Sequence, residues 1–323
     1  METHLNKAHN STVLISAVVC THNRAGYLAT ALESLLRQTL PARHYEIIIV
    51  DNRSTDDTAS VVGQFSSLRS VRYVYEPALG LAPARNTGWR QASGRYVAYL
   101  DDDAVASSRW LEKIIEVFEN VTPRPGCVGG KTEPIWEAPR PGWLDDRLLA
   151  ALSIIDWSST PHFINDLSAE WLVGTNIAFP RDVLQTIGGF VPGLDRRGAQ
   201  LMSSGDVFLE RQLLNAGYFC YYHPEVSVSH HITPSRLSKS WFLRRFYWQG
   251  ISDVTMEVLK KDLSARQRLR LAIGRAKPLL LTPGKLSAIF KPTDDPGHFR
   301  EQCFAFITLG QIRCLLFSAP ARR

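Results

Sequence analysis

The chain has 323 residues, of which 45% are hydrophobic and 21% are charged, a composition that excludes a mainly disordered protein. Its formal net charge of +6 favours anionic partners such as phosphorylated ligands, lipid headgroups or nucleic acid. The five cysteines are scattered and show no C-x-x-C spacing, so we predict neither a disulfide framework nor a zinc site and expect a reducing, cytoplasmic environment.

Neither end of the chain predicts a membrane-spanning helix. Residues 1–12 are polar and lack the apolar core of a secretory signal, so we expect no export. The apolar segment 304–317 is interrupted by Gln311 and Arg313 and is shorter than the roughly 20 residues that a spanning helix needs. Two interpretations of this segment stay open, a packed terminal helix and a helix lying on the inner face of the membrane.

Short apolar runs alternate with helical patterns between residues 13 and 131. The predicted strands are 13–20, 45–51, 71–76 and 96–100, and the predicted helices are 25–38 and 59–68. Strands that are apolar along most of their length are typical of βα units on a parallel sheet with both faces covered. We therefore predict an α/β fold with a mostly parallel central sheet.

The pattern changes where proline and glycine cluster between residues 123 and 142. Beyond this point we predict an aromatic-rich stretch, a helix over 206–216 and a pair of strands near 218–228. A basic helical region follows from residue 236. These changes divide the chain into three predicted parts, 13–131, 132–235 and 236–323.

Polar side chains follow three of the predicted strands. Thr21, His22 and Arg24 follow the first strand, Asp51 and Asn52 the second, and Asp101, Asp102 and Asp103 the fourth. Because ligands of open α/β sheets bind at the carboxyl ends of the strands, these side chains predict one shared cleft.

Three adjacent aspartates at the end of an apolar strand repel one another unless a cation or hydrogen bonds offset the repulsion. Mg²⁺ or Mn²⁺ would do so, and these ions complete their coordination with water and with the phosphate oxygens of a substrate. The alternative is a solvated acidic loop ahead of a helix. Arg85, on a predicted helix, suits a bidentate contact with phosphate but could also be a solvated surface charge.

Four motifs in order resemble glycosyltransferase family 2. They are CTHNR, IIIVDNRSTDD, GLAPARNTGWRQASGRYVAYLDDDA and SSGDVFLERQLLNAGY, and the resemblance covers about residues 13–250. It implies a fold of the GT-A type, with a nucleotide-sugar-binding α/β part over 13–131, continued by an acceptor-binding part with the catalytic base over 132–235. It also implies inverting displacement.

The resemblance assigns roles to individual positions. Thr21, His22 and Arg24 would line the nucleotide pocket, Asp51 and Asn52 would face the base, and Arg85 would approach phosphate. Asp101 and Asp102 would hold ribose or shape the metal site, and Asp103 would lie nearest the metal. Asn176 would lie close to the donor sugar, His230 would contact metal or phosphate, and Asp206 would be the general base.

Several of these assignments have alternatives or departures from the family pattern. Asp206 could instead cap a helix, and His230 could be structural. Many family members carry aspartate where this chain has Asn52, which leaves the donor nucleotide open. Many also carry an acidic residue where it has Gly205, so this chain lacks one carboxylate beside the proposed base. We expect Arg236, Arg244 and Arg245 to be solvated charges on a helix, and the alternative is that they form a basic wall around phosphates or contact lipid headgroups.

The function that we predict is transfer of a sugar from a UDP- or dTDP-type nucleotide to a hydroxyl group of a polysaccharide, glycolipid or lipid-linked acceptor. A sugar-nucleotide nucleotidyltransferase is disfavoured because no glycine-rich basic loop follows the first strand. A catalytically silent scaffold should have lost the carboxylates that are present here. Nucleic-acid binding lacks a recognisable motif.

Overall fold

The computed structural model describes residues 13–65, 67–68, 70–196, 200–259, 263–280 and 289–317, so the prediction for residues 1–12 lies outside the described residues. The strands are β1 (Ile15–Thr21), β2 (Tyr45–Asp51), β3 (Val71–Tyr75), β4 (Tyr96–Asp101), β5 (Ala104–Ala106), β6 (Cys127–Trp136), β7 (His162–Ile164), β8 (Asn176–Pro180) and β9 (Cys220–Ile232). The α-helices are α1 (Ala25–Leu36), α2 (Thr58–Gly63), α3 (Leu81–Gln91), α4 (Trp110–Asn120), α5 (Arg181–Ile187), α6 (Gly205–Asn215), α7 (Lys239–Leu259), α8 (Ala265–Leu280) and α9 (Pro296–Phe317).

All the strands belong to one sheet with the order β3-β2-β1-β4-β8-β6-β9-β5, and β7 pairs with β9. The first four strands are mutually parallel, as predicted. Next to them β8 runs antiparallel between β4 and β6. The sheet therefore joins residues on both sides of the predicted division at 131, which itself falls inside β6.

The pair of strands predicted near residues 218–228 is wrong, because this segment forms the single long strand β9. Residues His223 to Glu225 lie in the middle of this strand. They form a bulge, since the pairing with β6 passes from Gly130 opposite His223 to Thr132 opposite Val228. The extra residues of β9 lie in this bulge, and the strand continues beyond it to Ile232.

Helices cover both faces of the sheet, which explains why its central strands are apolar along their whole length. Val19 on β1 packs in a cluster with residues of α1 and α4, such as Leu32 and Trp110. Its neighbour Val18 points to the opposite face and packs in a cluster with residues of α3, α5 and α6. The carboxyl edge of the sheet is left open between these layers.

The helix α9 packs against α7, which supports the first of the two interpretations of segment 304–317. Two glycines permit a close approach of the helix backbones. A Cβ atom at Gly250 would lie 1.9 Å from the carbonyl oxygen of Ile307, and one at Gly310 would lie 2.0 Å from that of Tyr247. Within the part of the chain that the structure describes, no helix is both long and apolar enough to cross a membrane.

Glu210 on α6 gives a prediction about stability. Its side chain is fully buried, and Oε2 accepts a hydrogen bond from the backbone N–H of Leu172 at 3.1 Å. Burial raises the pKa of this carboxyl well above its ordinary value. The folded state therefore keeps a proton that the unfolded chain releases above a pH of about 4.5, so the free energy of unfolding falls as the pH rises from there.

We expect Glu210→Gln to remove this pH dependence, because glutamine fills the same space without releasing a proton. Its melting temperature should be close to that of the native chain at pH 5 and several degrees higher at pH 8. Thermal unfolding followed by circular dichroism at both pH values measures this, with the exposed Glu133→Gln as control. Parallel profiles for native and Glu210→Gln chains would contradict it.

Candidate active site

The strand-end side chains meet in an open cleft of about 380 Å³ at the carboxyl edge of the parallel strands. Ten of the predicted residues line it, namely Thr21, His22, Arg24, Asn52, Arg85, Asp101, Asp102, Asp103, Asp206 and His230. The structure does not bring Asp51 and Asn176 to its surface. The single cleft that the sequence predicts is therefore present.

One end of the cleft holds Asp101, Asp103 and His230. Pairing of β5 with β9 sets His230 opposite Ala104, and one ligand atom from each of the three residues lies within 4.8 Å of the others. His230 Nδ1 lies 3.0 Å from the carbonyl oxygen of Leu152. Since a carbonyl oxygen only accepts, Nδ1 carries a proton, and Nε2, which lies 3.1 Å from Asp103 Oδ1, is the nitrogen that would turn a lone pair to a bound cation.

These three side chains fit a divalent cation. The two carboxylates suit either Mn²⁺ or Mg²⁺. The imidazole nitrogen favours Mn²⁺, because Mg²⁺ binds mainly through oxygen. Asp102 lines the same cleft but does not belong to this set. Burial and the neighbouring Asp103 raise the pKa of Asp102 to about 7.

Two arginines accompany Asp103. Arg24 Nη1 lies 2.5 Å and Arg236 Nη2 lies 3.2 Å from Asp103 Oδ2. Burial alone would raise the pKa of Asp103, but His230 and the two arginines outweigh it and lower the pKa below its usual range. The expectation that Arg236 is solvated is wrong, because the side chain is buried where the chain turns from β9 towards α7.

The other end of the cleft is built around Asp206 in the first turn of α6. Asp206 Oδ1 accepts a hydrogen bond from Arg85 Nη1 at 2.6 Å, and Oδ2 accepts one from the backbone N–H of Gly174 at 2.9 Å. Ser204, not Asp206, occupies the N-cap position of α6. A Cβ atom at Gly174 would lie 2.1 Å from Arg85 Nη2, so this approach needs glycine.

Arg85 connects the two ends of the cleft. Its side chain is 3% exposed, and it lies 3.8 Å from Asp101 as well as beside Asp206. Its guanidinium also stands over the rings of Tyr99 and Phe190. Burial alone would lower the pKa of Arg85, but the surrounding aspartates raise it, so the cation is permanent and is not a solvated surface charge.

Asn52 uses its side-chain amide within the chain. Its Nδ2 donates to the carbonyl oxygens of Glu76 and Ala78 at 3.1 and 2.7 Å, and its Oδ1 accepts from the N–H of Gly80 at 2.7 Å. An ionised aspartate could not make the two donor contacts. Asn52 therefore fixes the loop before α3, and the backbone oxygen of Asn52 lies 2.8 Å from His22 Nδ1.

Asp51 and Asn176 lie beneath the cleft. The carboxylate of Asp51 is 2% exposed and accepts hydrogen bonds from the N–H of Ser54 and the hydroxyl of Tyr73. Asn176 is fully buried, accepts from Trp110 Nε1 at 2.8 Å and donates to the carbonyl oxygen of Val226 at 2.7 Å. In this structure both side chains tie elements of the sheet to their neighbours.

Sequence reasoning missed several residues that line the cleft. Thr175 donates from Oγ1 to Asp101 Oδ2 at 2.6 Å, and Asp195 and Arg196 come from the loop before α6. Arg245 was expected to be solvated, but it is buried in α7 and faces the cleft, whereas Arg244 is exposed as expected. Burial and the nearby Arg196 lower the pKa of Arg245 to about 9. The sequence signal for these residues was weak because none lies in a recognised motif.

The cleft can be compared with known proteins. Residues 16–188, more than half of the chain, match the family model described as Glycosyl transferase family 2. The chain belongs to glycosyl transferase family 2. It is 26% identical over 254 residues to the glucosyl-dolichyl phosphate glucuronosyltransferase of Haloferax volcanii, a match that spans 77% of this chain and 79% of the relative.

Solved structures of glycosyltransferases share the fold. The mannosyltransferase PcManGT of Pyrobaculum calidifontis, in complex with GDP-Man and Mn²⁺, matches with a TM-score of 0.60 and 21% identity over 93% of this chain and 86% of its own. S. aureus TarS 1-349, in complex with UDP-GlcNAc, matches with a TM-score of 0.58 and 15% identity over 94% and 89%. The GT-A type of fold that the family resemblance implied is therefore confirmed, and the chain is a glycosyltransferase.

Proposed function

We propose that this glycosyltransferase moves a sugar from a nucleoside-diphosphate sugar to a hydroxyl acceptor with inversion, assisted by Mn²⁺ or Mg²⁺. The observation that carries the proposal is the arrangement within one cleft. A set of cation ligands lies at one end, a carboxylate lies at the other, and Arg85 lies between them. A displacement at one carbon atom needs these two functions on opposite sides of that carbon.

On the donor side, Asp101, Asp103 and His230 would hold the cation, which when bound neutralises charge on the departing diphosphate. Arg24, Arg236, Arg196 and Arg245 add positive charge along the wall of the cleft, where phosphate oxygens would lie. Thr21, His22 and Asn52 would line the nucleoside, with Asp51 holding their loop from beneath, and Asp102 would contact the ribose. Residues 13–131 would thus supply most of the donor site.

On the acceptor side, Asp206 would accept the proton of the attacking hydroxyl. The acceptor oxygen forms a bond to the anomeric carbon while the bond from that carbon to the phosphate oxygen breaks. The electron pair of the broken bond leaves with the nucleoside diphosphate, and the configuration at the carbon inverts because the acceptor oxygen attacks from the opposite face. Arg85 and Gly174 would hold the Asp206 carboxylate, and Asn176 would support the segment that carries Gly174.

The expected donor is a UDP- or dTDP-type sugar. The structural neighbours include one in complex with GDP-Man and one in complex with UDP-GlcNAc, so guanine belongs in the same test. The expected acceptor is a glycan or a lipid-linked sugar. The curated relative from Haloferax volcanii is named for a lipid-linked sugar, which supports the second of these.

A thermal-shift panel tests the proposal. We expect one of UDP, dTDP, GDP and CDP to raise the melting temperature of the native chain in the presence of Mn²⁺, and to do so much less in EDTA. The nucleotide sugar that carries the stabilising base should then release its nucleoside diphosphate at a measurable rate. Stabilisation without any release would favour the silent scaffold, and release of pyrophosphate from a nucleoside triphosphate and a sugar phosphate would favour a nucleotidyltransferase.

We further propose that α8 rests on an anionic membrane surface. Leu269, Ile273 and Leu280 are 52%, 60% and 64% exposed, and their spacing places them on one face of the helix. Arg266, Arg270 and Lys277 repeat the same spacing three residues earlier and are exposed as well. An apolar stripe beside a cationic stripe is complementary to acyl chains below anionic headgroups, and it would bring the cleft to a lipid-linked acceptor.

Flotation with vesicles measures this contact. At low salt the native chain should float with vesicles that contain phosphatidylglycerol. With vesicles of pure phosphatidylcholine it should remain unbound at the bottom of the gradient. Arg270→Glu combined with Lys277→Glu should lose at least about half of the bound fraction, because each cation near the surface contributes about 1 kcal/mol. The control is Arg37→Glu combined with Arg147→Glu, which reverses two other exposed charges. Equal flotation of both double variants would contradict the proposal.

A further inference from the structure

Asp195 is a buried carboxyl group that the reaction described above does not use. It lies in the segment between α5 and α6, lines the cleft and is 7% exposed. Its Oδ2 atom has no hydrogen-bond partner among the described residues. Leaving a buried carboxylate oxygen without a partner is costly, so the position points to a group that binds there.

The carboxyl group of Asp195 occupies the place of a missing side chain. A Cβ atom at Gly205 would lie 2.1 Å from Asp195 Oδ1 and 2.5 Å from Oδ2. Gly205 directly precedes Asp206 on α6, so Asp195 fills the volume into which a side chain next to Asp206 would project. Many family members have an acidic residue at the position of Gly205. In this chain the acidic side chain of Asp195, from another segment, occupies that space instead.

The charges around Asp195 belong to the same end of the cleft. Arg85 and Arg196 face it as cations, and Asp206 and Asp101 face it as anions. Burial raises the pKa of Asp195 to about 7, against the effect of Arg85. A sugar hydroxyl both donates and accepts, so it can hydrogen-bond this carboxyl group in either protonation state.

We propose that Asp195 supplies a second carboxyl group beside Asp206, which hydrogen-bonds a hydroxyl of the acceptor and orients the neighbouring hydroxyl that loses its proton to Asp206. This inference rests on the proposed function and narrows the acceptor to a compound with adjacent hydroxyl groups, as in a sugar. Asp195 touches the acceptor and not the donor. Its loss should therefore affect transfer without affecting binding of the nucleotide.

The test measures release of nucleoside diphosphate from the nucleotide sugar selected by the thermal-shift panel, with water alone and with octyl hexosides as acceptors. We expect Asp195→Ala to lower kcat/KM for the acceptor at least about 10-fold. The donor KM and the nucleotide-induced shift in melting temperature should stay within about twofold of the native values. Asp195→Leu, which is similar in size to aspartate but cannot form hydrogen bonds, covers the case in which alanine prevents folding.

Exchanging the residues at positions 195 and 205 tests whether the carboxyl group itself is needed, because the rate of transfer would not recover in the double variant if Asp195 had only a structural role. Gly205→Asp alone should impair transfer, because its Cβ atom would collide with Asp195. The double variant Asp195→Gly, Gly205→Asp returns one carboxyl group to this volume and should be more active than either single variant.

The measured rates of transfer and of nucleotide release show whether the role of Asp195 or the proposed function itself is wrong. Transfer by Asp195→Ala or Asp195→Leu at the native rate overturns the inference, and so does a double variant that is no more active than the better single one. If no octyl hexoside is accepted, the same comparisons are made with lipid-linked sugars as acceptors, because water lacks the second hydroxyl group that Asp195 would bind. A native chain that neither binds a nucleotide nor releases one rejects the proposed function itself, which separates the two failures.

Discussion

Asp206→Asn is expected to lower kcat by about 10²- to 10⁴-fold, the range that a positioned general base contributes. The amide is almost the same size as the carboxylate and still accepts one of the hydrogen bonds from Arg85 and Gly174. It cannot accept the proton of an attacking hydroxyl. Steady-state release of nucleoside diphosphate measures the effect, and the donor KM should change much less than kcat.

The control for this change is Asp182→Asn, which removes an exposed carboxylate that pairs with Arg124 and does not line the cleft. It should retain native kinetics. A kcat for Asp206→Asn within about tenfold of the native value would exclude Asp206 as the base. Its role would then be reduced to holding Arg85 in place.

Asp103→Ala should abolish the cation-dependent binding of the nucleotide. The change removes one of the three cation ligands and also removes the anion that Arg24 and the buried Arg236 contact. We expect kcat/KM for the donor to fall at least about 100-fold, which corresponds to about 2.7 kcal/mol. Thermal shifts with the stabilising nucleotide, recorded over a series of Mn²⁺ concentrations, measure the loss directly.

Asp103→Asn separates the two effects, because it keeps the size of the side chain and one oxygen while it removes the negative charge. If the cation is the reason for the loss, both variants should need more Mn²⁺ to reach the same shift. An unchanged dependence on Mn²⁺ in Asp103→Asn would place the cation elsewhere. Loss of folding in both variants would show that Asp103 serves mainly to neutralise the two arginines, whereas loss in the alanine variant alone would show that the size and the remaining oxygen of the side chain are needed.

The parallel half of the fold could be predicted because its signals are local. A run such as Tyr45 to Asp51 is apolar enough to identify a strand with both faces covered, and the observed strand has the same limits. The residues after β1, β2 and β4 then had to meet, since the carboxyl ends of parallel strands share one edge. The positions of Arg24, Asn52 and Asp103 in one cleft follow from that rule.

The contacts that complete the site could not be predicted from local patterns, because they join residues that are far apart in the sequence. Asp206 and Arg85 are separated by 121 positions, and His230 and Asp103 by 127. In the sequence Arg236 and Arg245 cannot be distinguished from exposed charged residues on a helix, since nothing in their local sequence shows that they will be buried. Asp195 lies in no recognised motif, and its position becomes meaningful only when Gly205 is seen against it.

The place of β8 in the sheet has a consequence for protein engineering. Because β8 lies between β4 and β6, a strand of the proposed acceptor-binding part pairs with the edge strand β4 of the proposed donor-binding part. A fragment cut at residue 131 would leave the backbone groups of β4 unpaired along that edge, which favours self-association. Chimeras intended to exchange acceptor specificity should therefore keep β8 and β6 with the donor half and replace only the loops between the strands.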